Sequence, residues 1–212
     1  MYQTSQSLAQ DLPELAACQV ACFPGSFATK LGNAYVAQSL GWFIGTDNRF
    51  LFHIKAGSRI VGYCGGFIPQ FAGDGSTSGM MRFAMKEAFT GMLKRPWLFF
   101  SKEIRPYYPL ILKNVYRKIS GSSSANTVSP DTSRPVEKRC GLVVIGVHPD
   151  YRGTGCFDIL MLEFERQAME RGIQQLTLSV KPTNGRAIAA YKKCGWMINR
   201  EDDKAVEMWK EV

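Results

Sequence analysis

The sequence predicts an α/β domain, and three observations predict it. An apolar run, Leu142-Val143-Val144-Ile145-Gly146-Val147, passes through a Gly-containing turn into a helical pattern with Phe157, Leu160, Met161, Phe164 and Ala168 on one face. A second apolar run at 176–180 passes through Pro182-Thr183-Asn184 into another helical pattern, with Ala187, Ile188 and Tyr191 on one side. Upstream, two aromatic-rich stretches at 49–55 and 59–68 flank Ala56-Gly57-Ser58, which signals a hairpin.

Taken in order, a first helix is expected at 11–23, with Leu12, Leu15, Ala16, Val20 and Phe23 apolar and Pro24-Gly25 as its stop. A second is expected at 28–40. After the hairpin about seventy residues intervene before the strand at 140–147, far beyond ordinary loop length. Within them Met81, Ala84, Met85, Ala88, Phe89, Met92 and Leu93 give 80–94 a helical period, and 110–119 reads as another short helix. The 120–135 stretch is rich in Ser, Gly, Thr and Pro and reads as a linker. The tail after Trp196 reads as a hairpin returning to the sheet.

Bulk properties bound the function. The 212 residues, 45% hydrophobic, suffice for one sizeable core, so 1–212 reads as one domain with an insertion at about 69–138. The net charge of +8 favours anionic partners. Cys18, Cys22, Cys64, Cys140, Cys156 and Cys194 are scattered, and His53 and His148 are the histidines. No zinc spacing results, so no metal is expected and the cysteines read as reduced core thiols. The first six residues lack a secretory hydrophobic core and no apolar run reaches membrane-spanning length. The expected compartment is the cytoplasm, extending to the inner face of the membrane.

The turn at 147–157 carries the chemistry. Gly153 and Gly155 let the main chain approach an anion, and Arg152 adds positive charge at the helix N-terminus, a natural phosphate seat. Gly-x-Gly-x-x-Gly fails because Asp158 stands three beyond Gly155, and no Gly-Lys-Ser/Thr follows. Val147, Pro149, Tyr151, Arg152 and Gly155 instead fit Val-x-Pro, an aromatic and Arg-x-x-Gly, with Phe157 in place of the usual small residue. This resembles the acetyl-CoA pyrophosphate loop of the GNAT superfamily of N-acyltransferases. Asn184, Ala187, Tyr191, Gly195 and Trp196 resemble that superfamily's next landmark.

The resemblance implies a mixed, twisted sheet flanked by helices, with the insertion between the third and fourth strands. It implies acetyl-CoA as co-substrate, with its pyrophosphate on the amides of Arg152, Gly153, Thr154, Gly155, Cys156 and Phe157. The main chain at Ile145 and Val147 would bind pantetheine and the thioester, with Asn184 near the pantetheine arm. Tyr191 would protonate the leaving thiolate. Asn184 as a plain helix cap and Tyr191 as a core residue are the alternatives. Glu137, His148, Asp150 and His53 are the candidate bases, and direct attack is preferred to a cysteine relay.

The implied acceptor is a small-molecule amine, nucleotide-linked or lipid-linked. An amino sugar of surface-polysaccharide synthesis leads narrowly, because the Gly-Cys-Phe loop with a long insertion is similar to GNAT members of that kind. Protein amines and small antibiotic-like amines stay open. The alternative class is a non-catalytic acyl-CoA-binding module that docks on a membrane or an anionic partner. In the insertion, Lys and Arg interleave with aromatics. That admits a flap packed by its apolar face, a lid or interfacial segment near anionic lipid, or, last, a nucleic-acid surface.

Overall fold

Apolar residues on alternate sides of the central strands require cover on both faces of the sheet. The computed structural model, which describes residues 2–71, 74–101 and 138–212, has that arrangement. The elements run β1 (Tyr2–Gln6), α1 (Leu12–Cys22), α2 (Phe27–Leu31), α3 (Asn33–Gly41), β2 (Arg49–Ala56), β3 (Arg59–Phe67), α4 (Ser76–Phe83) and α5 (Met85–Lys94). After a 3-10 turn at Pro96–Phe100 come β4 (Arg139–Val147), α6 (Cys156–Met169), β5 (Gln175–Val180), α7 (Gly185–Lys193), β6 (Met197–Glu201) and β7 (Val206–Glu211). The expected helix at 110–119 and the linker at 120–135 lie outside the described residues.

The sheet is mixed, with strand order β1-β2-β3-β4-β5-β7-β6. Every neighbouring pair is antiparallel except β4 and β5. Phe50, Phe52 and Ile54 of β2 face one core, with Leu160 and Phe164 of α6 and Leu176 and Leu178 of β5. Leu51 faces the other, with Leu15 of α1, Val36 and Leu40 of α3, and Ile60 and Tyr63 of β3. Removing a ring such as Phe164, fully buried here, would cost about 3–5 kcal/mol.

Three elements differ from the sequence-based expectation. β1 carries no apolar alternation; it is an edge strand of mostly exposed polar residues, held by its backbone ladder to β2. The helix expected at 28–40 is two helices, broken at Gly32, whose φ of 108° leaves the helical region. The helix expected at 80–94 begins earlier, at Ser76, and breaks at Ala84, whose φ of −100° and ψ of 15° end α4 and start α5. The C-terminal hairpin forms as expected, and β7 pairs along the whole of β5.

Candidate functional site

The site begins with an irregularity in β4. Opposite β3, Gly65 pairs with Val144 and Gly66 with Leu142, so Val143 is an extra residue. Such a bulge bends its strand and ends regular pairing. On its other side β4 pairs in parallel with β5 only from Arg139–Gln175 to Leu142–Leu178. Beyond that β5 continues to pair with β7, and the two strands part.

The ladder fixes which groups line the gap. His148 N–H donates to the Val61 carbonyl at 2.8 Å. Antiparallel alternation then turns the main-chain groups of Gly146 and Val144 toward β3, and those of Ile145 and Val147 toward the β5 side. The gap is therefore lined by the two residues expected to hold pantetheine and thioester. Gly146 is required by its neighbour: a Cβ there would lie 2.6 Å from the Tyr63 ring.

The loop after β4 is built to present amides. Pro149–Tyr151 form a 3-10 turn, and Gly153 and Gly155 take φ of 80° and 82°. A Cβ on either would meet nothing within 4 Å, so their backbone faces open space. The first α6 bond runs from Ile159 N–H to the Gly155 carbonyl. The Cys156, Phe157 and Asp158 amides precede it and lack that partner, at the positive end of a helix of 14 residues.

Arg152 does more than supply charge. Its Nη2 donates to the Cys22 carbonyl at 3.0 Å and its Nε approaches the Val147 carbonyl at 3.3 Å, tying the loop to the end of α1. Thr154 Oγ1 donates to the Tyr151 carbonyl at 2.7 Å and accepts from the hydroxyl of Tyr2. Tyr2, on the strand that lacked a sequence signal, thus braces the loop. Gly62 lets the helix sit down on β3: a Cβ there would be 3.0 Å from the Cys156 thiol.

The second landmark meets the first across the gap. Phe157 of α6 and Tyr191 of α7 have ring centroids 5.8 Å apart, and Trp196 lies 6.0 Å beyond. Burial raises the Tyr191 phenol well above its ordinary value. Asn184 caps α7, its Oδ1 accepting from Ala187 N–H at 3.2 Å. Gly195 ends the segment with φ of 83°.

The candidate bases fare differently. His148 is buried; its Nε2 accepts from Arg59 at 2.8 Å and its Nδ1 lies 3.4 Å from the Asp150 carboxylate. His53 is buried on β2, with Nδ1 bonded to Ser7 Oγ at 2.9 Å, and burial lowers its pKa. Glu137 lies outside the described residues. Burial pushes the Cys156 thiol up to about 11 and the Cys140 thiol up to about 12, and also raises Cys194. Thiols so shifted stay protonated near neutrality, which weighs against a covalent relay.

The parted strands, the open glycine loop and the Tyr191 helix coincide with a family match: the acetyltransferase (GNAT) family matches residues 95–196. Just under half of the chain is thus similar to that family. The match closes on Trp196, the last residue of the second landmark. An acetyltransferase of Sodalis glossinidius is 39% identical over 49 residues, which are 23% of this chain and 34% of that protein. The chain thus spans about a third of the length of such curated relatives.

Solved structures place the whole GNAT fold on the chain. The PaiA N-acetyltransferase of Thermoplasma acidophilum, in complex with coenzyme A, aligns at a TM-score of 0.58 and 12% identity, covering 100% of this chain and 99% of that one. The ribosomal-protein-S18-alanine N-acetyltransferase of Escherichia coli aligns at 0.55 and 14% identity, covering 100% and 94%.

Proposed function

We propose that the protein transfers an acetyl group from acetyl-CoA to a primary amine. One observation carries the reading: β4 and β5 separate after Leu142 and Leu178, beside a loop whose glycines face open space. Ile145 and Val147 amides would hold pantetheine and polarise the thioester carbonyl. The amides of 152–157 would hold the pyrophosphate.

In the reaction the amine nitrogen attacks the thioester carbon, the C–N bond forms and the C–S bond breaks. The departing thiolate takes the phenolic proton of Tyr191, which burial keeps in the acid form. β4 carries no carboxylate, and His148 and His53 are engaged as described. The amine attacks as the neutral species, its proton passes to solvent, and solvent returns a proton to the Tyr191 phenolate. Amino sugars stand first among acceptors, ahead of protein and small-drug amines, because the loop and the insertion together resemble GNAT members associated with surface-polysaccharide synthesis.

Thiol release from acetyl-CoA, measured against nucleotide-linked amino sugars, peptide amines and small polyamines, tests this. Turnover with one class is expected. Binding of acetyl-CoA with no release across the panel would instead assign the chain as a non-catalytic acyl-CoA-binding module.

A further inference from the structure

α5 presents its faces in the reverse of the usual order. An amphipathic helix on a globular surface buries its large apolar residues. In α5 the small residues point inward instead. Ala84, just before it, and Gly91 are buried, and a Cβ on Gly91 would lie 2.3 Å from the Leu31 carbonyl oxygen at the end of α2. Met85, Phe89 and Leu93, at i, i+4 and i+8, form an outer stripe, each more than half exposed. Trp97 and Phe100, 64% and 82% exposed, follow it in the chain. Exposed large apolar residues at this spacing on one helix face mark a docking surface.

Lys86 and Lys94, both exposed, follow Met85 and Leu93 directly in the stripe, and the acid of this helix, Glu87, is half-buried. Apolar anchors edged by cations, with a tryptophan at one end, suit the boundary between lipid headgroups and acyl chains. A second copy suits it less well, because a two-fold contact sets the same patch against itself and brings like charges together. Among the described residues no helix is long and apolar enough to cross a membrane, so such contact is peripheral.

We infer that the outer face of α5 and the Pro96–Phe100 turn docks on an anionic lipid surface. Met85, Phe89, Leu93, Trp97 and Phe100 enter the headgroup boundary, and Lys86 and Lys94 meet lipid phosphates. This does not rest on the proposed acetyl transfer.

Sedimentation of the full chain with vesicles of phosphatidylcholine, alone or mixed with phosphatidylglycerol, tests it. The chain is expected to pellet with the mixed vesicles, and its tryptophan emission to shift to the blue. Trp42 and Trp196 are already buried and Trp209 is half-buried, so Trp97→Phe should remove most of that shift and leave the pelleting. The triple variant Met85→Ser, Phe89→Ser, Leu93→Ser should keep its thermal midpoint and acetyl-CoA affinity but lose vesicle binding. Lys86→Gln and Lys94→Gln should each weaken binding about fivefold. Failure of the wild type to pellet, or undiminished pelleting of the triple variant, would overturn the inference. A wild-type dimer that the triple variant converts to monomer, with no vesicle binding, would assign the face to a second copy. A lower melting point in that variant, with no vesicle binding by the wild type, would show the chain itself covers the stripe.

Discussion

Leu142 of β4 and Leu178 of β5 form the last paired register between the two strands, and the extra residue Val143 follows at once. The bulge and the parting are thus one event. Deleting Val143 should restore a regular ladder and let β4 follow β5 further. The fold should survive at a cost of about 1–3 kcal/mol, read by urea denaturation. Acetyl-CoA binding should vanish in titration calorimetry. Unchanged binding by a folded deletion variant would break the link between bulge and site.

Gly155 tests the loop without a steric clash. Its φ of 82° is left-handed, yet a side chain would meet nothing within 4 Å. Gly155→Val therefore strains the backbone by about 1–2 kcal/mol and moves the Cys156 and Phe157 amides. Steady-state kinetics should show a raised KM for acetyl-CoA with kcat largely kept. A variant that lost kcat alone would place the loop's role elsewhere.

Tyr191→Phe keeps the ring against Phe157 and Trp196 and removes the proton. Turnover should fall by about a hundredfold or more while KM for acetyl-CoA holds. Burial raises the folded-state pKa, so the phenol stays protonated beyond its usual value of about 10. The stability that goes with this shift is present below about pH 10 and is lost as pH rises through the folded value. The variant should flatten that alkaline loss, measured by thermal melts.

His53 acts at the other end of the scale. Burial lowers its folded-state pKa, so below about pH 6.5 the unfolded chain binds a proton that the folded chain resists. Stability should fall as the solution is acidified through that range, by up to about 1.4 kcal/mol per pH unit for this group. In His53→Gln the slope of urea stability against pH between neutrality and pH 5 should shrink. An unchanged slope would assign the acid sensitivity to carboxylates.

Much of this was readable from the sequence because the signals were local. Asn184 caps α7 where a cap was expected, Gly195 takes the left-handed turn, and Leu160, Met161, Phe164 and Ala168 are buried on α6 with Phe157 half-buried beside them. What failed to show was long-range. Tyr2 and Arg59 reach Thr154 and His148 across gaps of 152 and 89 residues, and no spacing rule marks such pairs. β1 is held by backbone bonds that no side-chain pattern encodes. In α5 the helical period located the helix, but its inward face was set by the close approach of Gly91 to Leu31. That approach reversed the expected packing and left Phe89 and Leu93 outside.

Amide hydrogen exchange of the full chain, with and without coenzyme A, tests the central claim most directly. The ligand should slow exchange at Ile145 and Val147 and along Gly153–Phe157, and leave the β6–β7 hairpin unchanged. Exchange at Ile145 and Val147 that saturating coenzyme A leaves unaltered would contradict a thioester carrier seated between β4 and β5.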